Sequence, residues 1–402
     1  MIAYTFYEMD NRVRRYAEAL AQRGDNVDVV ALRQEGQART EMLKGVRVFR
    51  IQHRTVTERS KFVYLAKLGM FLLRSFLFLT WRQLRNAYHL VHVHSVPDFE
   101  VFAAMVPKMT GSKLILDIHD LVPEFYASKF GVRSDSLVVK VLIAIERASA
   151  MFADHVIVAN HIWQKRLEQR SVKPSKCSTI LNFPDTEIFQ KRGSKRVDGK
   201  FIMIYPGTVS HHQGLDIAIR SFARIKDQIP EAEFHIYGTG DQVGVLRELI
   251  RTEALEDRVF LKGVLSLDEI ASVIENADLG VVPKRKDGFG NEAFSTKILE
   301  FMTLQVPVIV PDTMVDRYYF NDTVARFFRA NDEEDLANAM LEMIVQPERR
   351  RDLAARASVF IQQYTWMQHK CEYLELVDWL AGGDGGLCTV ARSVQGPGFR
   401  DQ

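Results

Sequence analysis

Apolar residues recur along this chain in two alternating rhythms. Short apolar runs at residues 27–31, 90–93, 114–118, 155–158 and 179–181 read as buried strands. Between such runs lie longer stretches with helical spacing. Residues 14–22 are one of them, and Gly24 ends that helix where a left-handed backbone is favoured. Strands separated by helical lengths predict βαβ units and a parallel sheet. The rhythm stops at residues 184–200, which are polar and carry no apolar pattern. It resumes with runs at 201–205, 234–237, 259–261, 279–282 and 308–310. Residues 336–380 read as helical. The Gly-rich stretch 382–402 has no period and is expected to be disordered. The prediction is an α/β chain with two parallel-sheet domains, 1–183 and 201–362. A linker at 184–200 joins them, and a last helix at 363–381 closes the chain. The first strand is short, and the natural start is expected upstream of Met1.

Residues 62–81, FVYLAKLGMFLLRSFLFLTW, form the most apolar segment. They are long enough to span a bilayer, but Lys67 and Arg74 interrupt them. On a helical wheel Lys67, Arg74, Arg82 and Arg85 fall on one side. A basic stripe on an apolar helix suits an anionic membrane surface. A core helix with a basic edge in water is the other reading.

Composition narrows the class. A chain of 402 residues exceeds one compact core. Hydrophobic content of 47% and charged content of 26% are those of a globular protein. A net charge of +2 does not suggest a nucleic-acid partner. The three cysteines, Cys177, Cys371 and Cys388, are far apart and lack metal-ligand spacing. That pattern fits a reducing compartment.

The chemistry concentrates in residues 287–307, DGFGNEAFSTKILEFMTLQVP. Gly288 and Gly290 suit a tight loop, and Ile298, Leu299, Phe301 and Met302 recur at helical spacing after it. Ser295 and Thr296 stand where that helix would be capped. Lys297 and Glu300, three apart, share a helix face. A Gly-rich loop opening a helix offers amides and a positive dipole end to a phosphate. A carboxylate can accept hydrogen bonds from a pair of sugar hydroxyls. An ordinary loop with a solvated ion pair has the same spacing. The run Lys284-Arg285-Lys286 reads equally as a solvated turn or as charge for a diphosphate. His119 and Asp120 follow a predicted strand directly, where parallel sheets bind ligands. Asn160 and Asn182 also follow strand ends and read as turn or ligand-facing residues.

Glu292 and Glu300, with their setting FGNEAFSTKILEFM, resemble the E-x7-E motif of family 4 retaining glycosyltransferases. The resemblance extends over residues 1–380. It implies the GT-B fold, two Rossmann-like domains facing across a cleft. It assigns His119 to a sugar contact, Asp120 to its support and Glu292 to the reacting sugar. Donor binding falls to Gly207, Thr208, Gln213, Gly214, Gly238, Gly240, Lys284, Phe294, Ser295, Lys297 and Glu300. The base would stack near Gly263 and Val264. The sequence departs from the family's pattern in the loop from Gly207 to Gly214, where Thr208 and Gln213 replace an Arg and a Lys. His212 or Lys284 would then supply the charge. The resemblance also brings the last helix back onto the first domain near Trp366.

The resulting expectation is a retaining transferase that uses a nucleotide-diphosphate sugar and a glycan or lipid-linked acceptor. It needs no metal and no cofactor, and it works at the cytoplasmic face of a membrane. A nucleotide-sugar epimerase of the same architecture is the first alternative. A non-catalytic sugar-binding subunit is the second.

Overall fold

The computed structural model describes residues 1–54, 61–193 and 196–382. The expected disorder of the tail falls almost wholly outside them, as does Cys388. The chain forms two compact units. One contains Met1–Ala127, Val132–Asn182 and, among the described residues, His369–Gly382. The other contains Ser128–Gly131 and Phe183–Gln368.

In the first unit the strands are β1 (Ile2–Ala3), β2 (Asp28–Arg33), β3 (Thr40–Leu43), β4 (Val46–His53), β5 (Leu90–His94), β6 (Lys113–Ile118), β7 (His155–Val158) and β8 (Cys177–Thr179). They form one sheet in the order β3-β4-β2-β1-β5-β6-β7-β8. Every pairing is parallel except β3 with β4. The strand order turns at β1, so the loops after β1 and β5 diverge there and leave room for a ligand. The β3–β4 hairpin escapes the sequence reading. Val46–His53 alternates buried and half-exposed positions, the period of a strand with one wet face. A search for continuous apolar runs passes over it.

The helix Lys61–Arg85 lies along this unit and corrects the wheel reading. Its buried positions are Leu68, Phe71, Ser75, Leu79 and Gln83. The opposite stripe of Val63, Met70, Leu73, Leu77, Trp81 and Leu84 is exposed. The basic residues flank that apolar stripe and are partly turned inward. Arg82 binds Asp28 Oδ2 at 2.7 Å and Tyr88 Oη at 3.2 Å. Arg74 donates to the Ile51 carbonyl at 3.3 Å. A wheel gives relative angles but not which side the sheet will cover. Here the segment Asp98–Met109, together with β4, covers a mixed stripe, and the apolar one faces out.

The last helix, Trp366–Ala381, packs on this same unit. Tyr373 is fully buried against Tyr16, and Arg23 bridges to Asp378 at 2.8 Å. Cys177 and Cys371 are both unbridged.

In the second unit the strands are β9 (Phe201–Pro206), β10 (Ala232–Tyr237), β11 (Val259–Gly263), β12 (Leu279–Val281), β13 (Val308–Pro311) and β14 (Arg326–Phe328). Their order is β11-β10-β9-β12-β13-β14, all parallel. This is the doubly wound order, with its switch point between β9 and β12. The helix Leu215–Ile225 follows β9 and buries Ile217, Ile219 and Phe222 on the sheet.

Candidate functional site

The loops after β9, β10 and β12 converge at the switch point of the second unit, and glycines let them touch. A Cβ on Gly238 would lie 1.8 Å from the Gly207 carbonyl oxygen. One on Gly240 would lie 2.0 Å from that of Val209, and one on Gly214 would lie 2.2 Å from that of Pro283. Gly207 and Gly238 also have φ of 139° and 145°, a region that side chains disfavour. Backbone bonds stitch the crossing: Gly207 N donates to Tyr237 O at 2.8 Å and Val209 N to Thr239 O at 2.9 Å.

The helix Thr296–Thr303 opens onto this crossing. Ser295 stands at its cap position, but its hydroxyl does not cap it and, though buried, has no partner. The first-turn amides therefore lack the usual side-chain acceptor. Lys297 reaches back from the first turn. Its Cε sits 2.3 Å from where a Gly207 Cβ would be, and its Nζ lies over the Tyr205 ring at 5.3 Å. One turn on, Glu300 is half-buried; burial raises its pKa to about 7 against the opposing charge of Lys297. Burial likewise lowers the pKa of Lys297. Glu292 is buried in the preceding loop, where its amide donates to the Phe289 carbonyl at 3.0 Å. Asp287 shapes that loop by accepting from the amides of Phe289 and Gly290.

The structure thus gathers Gly207, Gly214, Gly238, Gly240, Ser295, Lys297 and Glu300 around one set of loop ends. Thr208 is exposed beside Gly207. Gln213 Nε2 meets His212 Nε2 at 2.9 Å, and its buried Oε1 has no partner.

Three expectations change. Lys284 does not offer its charge to a ligand: its ammonium is buried, bound to Asp316 at 3.0 Å and to the Ala293 carbonyl at 2.7 Å. Arg285 is held by both oxygens of Asp216, and Lys286 pairs with Asp312 at 3.4 Å. His212 is a weak charge donor, because burial lowers its pKa. Phe294 packs its ring against Tyr319 and Phe320, so its backbone is what it can offer a ligand. The partners responsible, Asp216, Asp312 and Asp316, lie on distant segments. No local spacing announced them.

In the first unit His119 directly follows β6 and its side chain is 21% exposed. It touches Asp117 and His94, neither of which the sequence reading singled out. The signal was present: period-two spacing puts His92 with His94, and Asp117 with His119, on common faces. Asp120 has its pKa raised to about 6 by burial. Asn160 caps the helix His161–Arg170 by accepting from Trp163 N at 2.9 Å, a structural use.

Two family models match the chain. The 4-like glycosyl transferase domain covers residues 9–182, and glycosyl transferases group 1 covers residues 186–359. The α-D-kanosaminyltransferase of Streptomyces kanamyceticus is 26% identical over 44% of this chain and 46% of its own length. The phosphatidylinositol N-acetylglucosaminyltransferase gpi3 subunit of Schizosaccharomyces pombe is 26% identical over 65% of this chain and 54% of its own. The chain thus spans about half the length of these curated relatives. Among solved structures, the sucrose-phosphate synthase of Thermosynechococcus elongatus superposes with a TM-score of 0.78 at 19% identity, over 95% of this chain and 99% of that one. Anabaena HepE in complex with UDP-glucose gives 0.69 at 14% identity, over 94% and 98%. At such identities the superpositions speak for fold alone. Two doubly wound sheets, and two adjoining family models that run from residue 9 to residue 359, place the chain among the GT-B glycosyltransferases of the family 4 type.

Proposed function

We propose that the chain is a retaining glycosyltransferase that moves a sugar from a nucleotide-diphosphate donor to a hydroxyl of a glycan or lipid-linked acceptor. The observation that carries this reading is the crossing of Lys297 over Gly207 at an uncapped helix start. Amides there accept the diphosphate without a side chain in the way, and Lys297 adds a positive charge. Glu300, one turn further, holds the ribose hydroxyls. Glu292 carries the charge that faces the reacting sugar, and His119 is a sugar contact. The leaving group is a diphosphate, so the work is positioning and charge stabilisation. The departing phosphate takes the acceptor proton as the acceptor attacks from the same face. The relatives' names support a sugar transfer, and HepE supports a nucleotide-sugar donor.

The Glu300 assignment gives a pH dependence. Its carboxylate must be ionised to accept two hydroxyl bonds, and its pKa in the folded chain is about 7. A sugar diphosphate does not itself titrate near neutrality. Donor affinity should therefore rise about tenfold between pH 6 and pH 8 and then level off. Calorimetric titration of the donor checks this. Glu300→Gln should bind more weakly and with no such slope; an unchanged slope in that variant removes Glu300 from the ribose.

Amides and Lys297 neutralise the leaving group, so no divalent ion is required. Turnover in excess chelator should stay within about twofold of the parent rate. Recovery of a large loss on adding magnesium or manganese contradicts this.

The acceptor is placed at an anionic membrane. Within the helix segment Val63–Arg85 the most apolar 18-residue window has a mean hydropathy of 1.5, and only 22% of it is buried. Its inner stripe is committed to the first unit, so the helix lies on the domain and offers its outer stripe to lipid, with Arg74 and Arg85 exposed beside it. Replacing Leu73, Leu77 and Trp81 by Gln touches only exposed positions. That variant should lose most of its co-sedimentation with anionic vesicles while its Tm holds. Sedimentation equal to the parent's rules the surface out.

A further inference from the structure

Asp117 is fully buried beneath His119 and is held from several sides. Arg12, on the helix Asn11–Arg23, donates Nε to Oδ2 at 2.8 Å and Nη2 to Oδ1 at 2.7 Å. Strand register puts His94 directly opposite Asp117, and His94 Nδ1 meets Oδ2 at 3.1 Å. His119 Nε2 meets the same oxygen at 3.2 Å. Burial alone would raise the Asp117 pKa, but Arg12 and the histidines overcome it and hold it well below the usual carboxylate range.

An ionised carboxylate only accepts hydrogen bonds. Both contacts to Asp117 are hydrogen bonds when His94 carries its proton on Nδ1 and His119 on Nε2. The 3.2 Å between those two nitrogens is then the result of two donors converging on one oxygen. The open nitrogen of His119 is Nδ1. On the far side His94 is backed by His92, stacked at 4.1 Å. His92 Nδ1 in turn meets the Tyr373 hydroxyl of the last helix at 3.0 Å.

His92, His94 and Asp117 also have ligand atoms within 4.8 Å of one another, a composition that suits a metal. Arg12 weighs against that use. Its guanidinium already engages both carboxylate oxygens, and a divalent ion on Asp117 would stand close to that charge in a buried place.

We propose that Asp117 is a positioning residue for sugar transfer: it fixes His119 as the Nε2–H tautomer, so that Nδ1 accepts a hydrogen bond from a hydroxyl of the transferred sugar. This rests on the transferase reading above. The Arg12 bridge anchors the carboxylate, and the His92–Tyr373 pair keeps His94 from turning away. The residue that matters for orientation thus lies two positions before the one that meets substrate, as second-layer partners of ligand-binding histidines often do.

Long-range 1H–15N NMR of the labelled parent reads the tautomer directly, with the His119 signals assigned through His119→Gln. The expected spectrum shows Nε2–H. In Asp117→Asn one oxygen cannot serve both Arg12 and His119, so the amide donates to Nε2 and the tautomer changes to Nδ1–H. Turnover should then fall about a hundredfold in kcat, with a smaller change in donor KM. Asp117→Asn leaves Arg12 poorly paired and has a risk of misfolding; the parent spectrum needs no variant and tests the proposal by itself. Nδ1–H on His119 in the parent overturns it, as does stoichiometric zinc uptake by the parent. If the parent shows Nε2–H and turns over donor, yet His119→Gln turns over equally well, the positioning role fails while the transferase reading stands.

Discussion

Glu292→Gln should cut kcat by about a hundred- to a thousandfold and leave donor KM within a few-fold of the parent. The side chain is 4% exposed, in the loop that leads into the helix Thr296–Thr303. The substitution keeps shape and removes charge, so it asks only what the charge does. If the carboxylate faces the reacting sugar, it matters most as positive charge develops there, and little in the ground state. An interaction strengthened in the transition state appears in kcat, and one made equally in both states appears in KM. Losing one preorganised electrostatic partner typically has an effect of this size. Glu300→Gln should do the reverse, because ribose hydroxyl bonds are the same before and during transfer. Steady-state kinetics with saturating acceptor separates the two. Near-parental kcat in Glu292→Gln removes this loop from the reaction.

Lys297→Ala should raise donor KM about ten- to a hundredfold, the loss of roughly 1.5–3 kcal/mol for a charged hydrogen bond. Lys284, Arg285 and Lys286 are bound to Asp316, Asp216 and Asp312. Among the described residues Lys297 makes no such bridge; its Cε crosses Gly207 and its Nζ lies over the Tyr205 ring. Burial lowers its pKa against the opposing pull of Glu300, and a bound diphosphate would bring further negative charge to the ammonium. Lys297→Arg should recover less than the full affinity, since the space over Gly207 fits a slender chain. Lys284→Ala, by contrast, should act on stability, because it leaves Asp316 buried without its partner. A Lys297→Ala variant that binds donor like the parent places the diphosphate elsewhere.

What the sequence shows and hides follows from how far apart the interacting residues lie. The parallel strands are legible because both faces are buried, which leaves continuous apolar runs such as Val156, Ile157 and Val158. The β3–β4 hairpin hides because Val46–His53 alternates. The glycine loops are legible as composition, but which atoms they make room for is not. Gly207 reads as a turn residue, and only the fold brings Lys297, ninety positions later, against it. The same distance hides the fate of Lys284, whose partner Asp316 lies on a helix after β13. It also hides the outward face of the helix Lys61–Arg85, which depends on the segment Asp98–Met109 packed beneath it. His119 is legible as a strand-end residue, whereas its tautomer depends on Arg12, more than a hundred residues upstream.

The Glu292–Lys297–Glu300 segment is proposed to carry out transfer from a nucleotide-diphosphate sugar with retention. Transfer of the sugar to water in place of the acceptor would release it free, so the test needs no known acceptor. Proton NMR of the parent with α-linked nucleotide sugars follows which anomer of the free sugar appears first. The α anomer should appear first, at a rate that falls at least a hundredfold in Glu292→Gln. The β anomer first, or release by folded Glu292→Gln as fast as by the parent, contradicts it.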